Sequence, residues 1–487
     1  MGIKNLIRIK SLFLDNHTIK QTIFKNTFWL LFAEIISKSL MFFLTIFIAR
    51  YLGVEGYGKF SFAFTIAALF AVFIDFGFST LTIRDVAKNR KLVKKYVNNI
   101  SVIKLALSIV TFSLIFIVMQ LLGKTIEVKQ LVYLATICTI IQSFTGFFQS
   151  VFRAFEKMQY EAISRIIYSL ILICIVLVTI WQKLSIQILI QGYIIAALVG
   201  LIITYVFMIK RFTRISPNVD FTFWKRLFVE TWPFTGSLIF VGIYFRIATV
   251  ILFMTKGDIA VGLYNAAYNI YFSLIIFPTL FISSVFPIFS KLSNTSVESL
   301  KSAYRKSVNY LLTLGLPVAI GNIFLADKII FIIYGNEFAN SALVLKILSW
   351  AFLFICLSNP AGNLLDAINK QKKHMVISGF GTVINLLLNV ILIFRLSYIG
   401  AALSLVITEA IVLFLLLFTI NRSIYKTNVF KNSLQIIVAS SVMLVFLIIF
   451  KNVNIILLIS LSAIIYFLIL FTLKKISIKF IKLAETI

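Results

Sequence analysis

Runs of about 20 mostly apolar residues recur along this chain with short polar breaks between them, and they constrain its fold more than any other feature. A run of that length spans the ~30 Å hydrocarbon core of a bilayer as a helix. In lipid the backbone has no hydrogen-bond partner but itself, so a helix is the conformation such a run must take. Fourteen runs can be read. They cover 26–49, 60–81, 97–122, 129–152, 162–181 and 186–209, then 231–255, 259–286, 307–326, 341–361, 375–394 and 399–420, and finally 432–450 and 454–473. Only 13% of the 487 residues are charged and 61% are hydrophobic, which excludes a disordered chain and argues against a soluble enzyme. The expected fold class is an all-α integral membrane protein of fourteen transmembrane helices. One stretch is ambiguous: Ile329–Tyr334 either prolongs the ninth run or forms a short surface helix. The first 25 residues are basic without a proper apolar core region, so the first span is expected to act as its own insertion signal.

Lys and Arg outnumber Asp and Glu 46 to 17, a net charge of +29. In a soluble chain that surplus would suggest nucleic acid. Placement gives it another meaning here. With the N-terminus in the cytoplasm, and with Lys129 and Arg165 at span ends counted with the adjoining external loop and the cytoplasmic segment 153–165, the eight cytoplasmic segments hold 33 Lys and Arg residues, the seven external loops hold nine, and four lie within spans. Every cytoplasmic segment carries at least three and no external loop more than two, the asymmetry that orients membrane proteins. A miscounted span would invert all later loops and spoil it. The expectation is a multi-pass plasma-membrane protein with both termini cytoplasmic, its basic loops facing anionic lipid, with no nucleic-acid partner. Cys138, Cys174 and Cys356 lie inside apolar runs, so no disulfide framework is implied, and His17 and His374 are too far apart in sequence to suggest a metal site. No cofactor is expected beyond H+ or Na+ as a coupling ion.

The first twelve spans divide into two related sets of six. Gly53, Gly58 and Phe60 recur as Gly257, Gly262 and Tyr264 at a constant offset of 204, each set lying between the first and second span of its half. A weaker echo links Phe152-Arg-Ala-Phe-Glu-Lys157 with Leu365-Asp-Ala-Ile-Asn-Lys370, after the fourth span of each half. Six is even, so the halves share one orientation and form parallel repeats related by an axis along the membrane normal. The expected divisions are 1–215 (six spans), 216–428 (six spans) and 429–487 (two spans), with the basic stretch around Pro217 as the main boundary.

Arg50-Tyr-Leu-Gly-Val-Glu-Gly-Tyr-Gly-Lys-Phe60, followed by Asp75-Phe-Gly-Phe-Ser-Thr-Leu-Thr-Ile-Arg84, resembles the first block of polysaccharide-biosynthesis flippases. These are the Wzx-type lipid-linked oligosaccharide flippases of the MOP exporter superfamily. The second half agrees through Tyr334-Gly-Asn-Glu-Phe338, Val344-Leu-Lys-Ile-Leu348, Asn385, Asn389 and Gly400-Ala-Ala-Leu403. Each motif is loose, but their joint order covers nearly the whole chain. The resemblance implies two six-helix lobes in a V, two appended C-terminal helices, and transfer of a polyprenyl-(di)phosphate-linked glycan from the cytoplasmic to the outer leaflet. Its partners would be the lipid-linked glycan, membrane lipids, and glycosyltransferases or polymerases of the same route.

A charge at mid-bilayer costs roughly 2.5–3.5 kcal/mol on insertion scales, so each one needs a reason. Lys104 and Lys346 lie near span ends and are expected to snorkel. Lys38 and Arg246 lie deep in the first and seventh spans, and one from each half would clamp a phosphate head. The bland alternative for Lys38 is pairing with Glu34 at i,i+4. Glu34, Asp75 and Glu409 are candidate ion-coupling or cavity acids, although structural pairing is equally open to them. Asp75 and Arg84 would alternatively fix the helix-to-loop junction after the second span. Asn265 and Asn269 form a polar i,i+4 stripe assigned to the substrate cavity, with interhelical hydrogen bonding as the default for it and for Asn385 and Asn389. All six prolines fall at or after position 217, so Pro278 and Pro317 are expected to kink their helices and the first helix is not.

A cation-coupled multidrug exporter of the same superfamily is the main alternative, with Glu34 as its coupling acid. An enzyme is disfavoured: the chain has no Asp-x-Asp, no Gly-Lys-Ser/Thr loop and no sizeable external loop.

Overall fold

A computed structural model describes residues 19–214, 216, 219–423 and 434–484, so His17 and Pro217 lie outside the described residues. Thirteen α-helices follow one another in this region. They are α1 (Ile19–Asp75), α2 (Phe78–Lys88), α3 (Val93–Leu121), α4 (Ile126–Ala154), α5 (Met158–Trp181), α6 (Ile186–Arg211) and α7 (Phe221–Lys256). Then come α8 (Asp258–Ser293), α9 (Val297–Tyr334), α10 (Ser341–Ala367), α11 (Gln371–Ser423), α12 (Leu434–Ile449) and α13 (Ile455–Ala484). Among the described residues eleven helical segments are long and apolar enough to cross a membrane, and α12 is a shorter apolar helix. Two of the eleven, Phe28–Lys88 and Gln371–Arg422, each carry two of the expected spans, and among the described residues each expected run lies mostly on helix. The ambiguous Ile329–Tyr334 belongs to α9. At 1.5 Å per residue the 38 residues of α9 reach well beyond the hydrocarbon core.

Several breaks in this helical run have a positive φ, and these reproduce the internal repeat. Gly53 (φ 65°, ψ −177°) interrupts α1 and Gly257 (φ 80°, ψ −171°) precedes α8. Glycine is essentially alone in reaching that conformation, which explains why this pair survives at offset 204. The weaker echo is equally exact in backbone. Glu156 (φ 58°) and Asn369 (φ 60°) both close a helix in the left-handed conformation. The Lys157 amide donates to the Phe152 carbonyl at 2.9 Å, and the Lys370 amide to the Leu365 carbonyl at 2.8 Å. Such six-to-one bonds satisfy the last orphan carbonyls of a helix. Gly123 and Gly335, and Lys183 and Ser397, make two further positive-φ pairs at corresponding loops.

Phe76 (φ 46°) and Gly77 (φ 75°) are the exception. Span two was expected to run unbroken over 60–81, whereas α1 stops at Asp75 and α2 restarts at Phe78. The cause is α7. A Cβ on Gly77 would lie 3.0 Å from the Phe234 Cβ, and Thr235 donates to the Phe76 carbonyl at 2.9 Å. In the second half α8 runs continuously from Asp258 to Ser293.

Pro278 and Pro287 lie inside α8 and Pro317 inside α9, and the α-helix is continuous through each of them. Proline removes one backbone donor, but its own φ is close to the helical value.

The chain forms two compact units, Met1–Val250 and Ile251–Ile487. The division falls within α7, most of which packs with the first unit. That unit's core joins α2, α3, α4, α6 and the start of α7 through Phe78, Tyr96, Phe147, Phe152, Met208 and Leu227. One face of α3 is buried in it, while Leu105, Ile109 and Phe116 on the other face are exposed apolar surface of the kind lipid covers.

Candidate functional site

Within the first unit, α1, α4 and α5 bring five charged side chains into one chain of contacts. Lys38 binds Glu34 at 2.6 Å, Glu34 binds Arg165 at 3.0 Å, and Arg165 binds Glu161 at 2.7 Å. Arg153, at the end of α4, closes the series by donating two bonds to Glu161 at 2.6 and 2.7 Å. Helical spacing builds half of it: Glu34/Lys38 and Glu161/Arg165 are both i,i+4 pairs with the acid first, the favourable order. The turn at Glu156 then reverses the chain so that Arg153 meets Glu161.

Burial decides what this array can do. Glu161 is fully buried, and an unpaired carboxylate there would be prohibitively costly; its two arginines answer that need. The cations remain reachable, with side-chain exposure of 46% for Lys38, 37% for Arg153 and 32% for Arg165. Three cations against two acids leave one net positive charge with accessible guanidinium groups, which suits an anionic ligand. Arg153, Glu161 and Arg165 had been read as part of a cytoplasmic loop. The legible signal was Glu161-x-x-x-Arg165 at the start of an apolar helix.

Other predicted residues have partners of their own. Asp75 ends α1 in a separate cluster, accepting from Ser79 at 2.6 Å and from Lys104 at 3.0 Å. Lys104 does not snorkel: it is fully buried and also donates to Ser143 at 2.8 Å. Its aliphatic stem would have to cross the core cluster to reach an interface, whereas a carboxylate one helix away neutralises it in place. Arg84 bonds Asp85 at 2.6 Å and also contacts Glu230 on α7, fixing the junction after the second span. Lys346 pairs with Asp327 at 2.7 Å, both partly exposed near helix ends.

Arg246 is half-buried on α7, in the part of that helix belonging to the same unit as Lys38. Asn265 on α8 is buried and donates to the Val261 carbonyl at 3.0 Å, with Asn269 half-buried one turn on. On α11, Asn389 donates to Asn385 at 2.9 Å and Asn385 to Thr408 at 3.3 Å, tying the eleventh expected span to the twelfth. Glu409, beside Thr408, is buried. The second unit also holds an apolar cavity of about 250 Å³ between α9, α12 and α13, lined by Leu314, Leu325, Met443 and Phe467 among others. Among the described residues no three His, Cys, Asp or Glu side chains gather as a metal site.

The profile of the polysaccharide biosynthesis protein family matches residues 23–293, which include the whole charged array. The chain belongs to this family. A second profile, MatE, matches residues 233–391. The protein named "Probable low-salt glycan biosynthesis flippase Agl15" of Haloferax volcanii is 25% identical over 45% of this chain, a match spanning 47% of that relative's length. The capsular polysaccharide biosynthesis protein CapF of Staphylococcus aureus is 22% identical, over 80% of this chain and 97% of its own. Lipid II flippase MurJ in an inward closed conformation shares the fold, with a TM-score of 0.74 at 19% identity over 92% of this chain and 98% of that one. The all-helical architecture is also shared with a multidrug resistance MATE family transporter of the MOP superfamily in an inward-facing conformation, with a TM-score of 0.63 at 17% identity over 82% of this chain and 96% of that one.

Proposed function

We propose that this family member flips a polyprenyl-(di)phosphate-linked oligosaccharide from the cytoplasmic to the outer leaflet of the plasma membrane by alternating access. The observation that carries this reading is the array Lys38–Glu34–Arg165–Glu161–Arg153, whose net charge is positive and whose cations are the accessible members. A phosphate head group entering an apolar protein needs such donors in place, since a charge left unpaired there is expensive. The names of the relatives Agl15 and CapF support a glycan on that head group. The apolar cavity beside α9, α12 and α13 is chemically suited to a prenyl chain. Lys38 and Arg246 are assigned to phosphate contact, and Asn265 and Asn269 to the substrate path.

Coupling to H+ or Na+ through Glu34, Asp75 or Glu409 belongs to the same proposal, as do cytoplasmic termini and delivery to or from glycosyltransferases and polymerases. The role is transport, with no catalytic residue. The MatE profile favours a multidrug exporter as the second reading. Against it, Glu34 stands between two cations and offers a cationic drug no negative charge. The test is translocation of undecaprenyl-diphospho-N-acetylglucosamine in vesicles containing the purified protein. Transport that falls at least tenfold in Arg246→Ala or Lys38→Ala supports the reading and the phosphate role, a loss of about 1.4 kcal/mol. Full activity in both variants removes the phosphate role, and no transport by wild type overturns the function.

A further inference from the structure

A second, uncharged recognition surface adjoins the charged array. A cavity of about 260 Å³ opens between α4, α5 and α6, lined by Gln142, Thr145, Gln149, Ser164, Arg165 and Tyr168. It lies wholly within the first unit. Its size is just below the ~300–1,000 Å³ of sites that engulf a drug-sized ligand, enough for a single sugar ring and too small for an oligosaccharide. Two glycines shape it: Gly146 has nothing within 4 Å of where its Cβ would stand, and Gly200 leaves room for the Tyr168 ring.

The lining is unusual for a membrane helix bundle, because five of those six side chains are neutral groups able both to donate and to accept hydrogen bonds. Their mutual bonds leave both donors and acceptors over. The Gln142 amide nitrogen donates to the Tyr168 hydroxyl at 2.9 Å, and the Gln149 amide nitrogen to Ser164 at 3.0 Å. Ser164 in turn donates to the Glu161 carbonyl at 2.9 Å. These bonds do not use the two glutamine carbonyl oxygens, the second amide hydrogen of Gln149 or the Tyr168 hydroxyl hydrogen, a set that suits a ligand able both to donate and to accept. A phosphate diester only accepts; a sugar ring with its hydroxyls does both, and Tyr168 adds the flat apolar face against which a ring can lie. Arg165 belongs to both places, bound to Glu34 and Glu161 and lining the cavity. Of its five N–H donors, those not directed at the carboxylates remain for the ligand.

The geometry points to this cavity as the subsite for the sugar attached directly to the lipid diphosphate, with Arg165 at the seam between sugar and phosphate. This rests on the flippase reading and adds to it a place and a chemical class. It makes the first sugar, rather than the distal glycan, the part of the substrate the protein reads.

The test measures binding of two probes to the full-length protein in nanodiscs: undecaprenyl diphosphate, and the same lipid carrying one N-acetylglucosamine. Wild type is expected to bind the sugar-bearing lipid roughly tenfold tighter, the worth of one or two net hydrogen bonds. Gln149→Leu, which removes an acceptor, and Gly146→Leu, which fills the cavity without cutting a hydrogen bond, should each bring the sugar-bearing lipid to the affinity of the bare one. Discrimination that persists in Gly146→Leu overturns the subsite and leaves the flippase reading standing, as does equal binding of both lipids by wild type. Wild type that binds neither lipid overturns both.

Discussion

Asp75→Asn should destabilise the protein more than Lys104→Met, although both break the same ion pair. The two charges are 3.0 Å apart, with Lys104 fully buried and the Asp75 side chain 27% exposed. At an effective dielectric of about 20, a pair at that distance gains about 5.5 kcal/mol of Coulomb energy. Desolvation offsets much of it, so the pair itself contributes little net stability. What matters is the charge left behind. Asp75→Asn strands an ammonium among Phe144 and Phe147 with only Ser143 as a neutral partner, at about 3–5 kcal/mol. Lys104→Met leaves a carboxylate that is partly solvated and still bonded to Ser79, and should cost about half as much. The double variant Asp75→Asn/Lys104→Met should recover most of the larger loss. The assay is reversible unfolding in mixed detergent–SDS micelles, arranged as a double-mutant cycle. Equal losses for the two single variants, or additive losses in the double, would refute the reasoning.

Other consequences follow from named contacts. Gly77→Ala should cost more than Gly123→Ala: both glycines have positive φ, worth about 1–2 kcal/mol for an L-residue, but only Gly77 has Phe234 against it, which thermal unfolding of the two variants would show. Gly400→Ala should abolish accumulation of folded protein, because its Cβ would fall on the Leu392 backbone, whereas Gly321→Ala, with open space, should be tolerated; size-exclusion profiles of the two report this. Glu161→Gln should be among the most damaging single changes in the array, costing about 3–5 kcal/mol, since two arginines lose their shared carboxylate; retention of wild-type melting would contradict it. Finally, hydrogen bonds from Arg226 and Arg84 hold the Glu230 carboxyl below its ordinary value of 4.5. Its contribution is therefore fully present above about pH 4.5 and lost as pH falls through the lower folded value. Melting should drop more between pH 5 and pH 3 for wild type than for Glu230→Gln.

Much of the architecture could be read from the chain because its causes are local. A run of twenty apolar residues has one low-energy form in lipid, and a glycine held at φ 65° or 80° is the residue its backbone position requires, so Gly53 and Gly257 marked the repeat. The break at Phe76–Gly77 was hidden because it depends on Thr235 of α7, 159 residues later, approaching closely enough to bond the Phe76 carbonyl. The site followed the same division. Glu34 and Lys38 could be paired on paper, being one helical turn apart, but Arg165 reaches Glu34 only through the packing of α5 on α1. Lys104 was misplaced for the same reason: its depth along a helix was visible, and its partner on another helix was not. Neutral side chains such as Gln142 and Gln149 gave no signal, since an isolated amide in an apolar run looks like interhelical glue until a cavity is seen beside it.

The most direct measurement of what this protein carries uses one preparation of proteoliposomes holding the purified chain, undecaprenyl-diphospho-N-acetylglucosamine and ethidium, a cationic dye. Accessibility of the sugar to an impermeant lectin and efflux of the dye are followed together. The account predicts that the glycan lipid changes leaflet, that its rate falls in Arg165→Ala, and that the dye stays where it was loaded. Dye efflux without movement of the glycan lipid would contradict it.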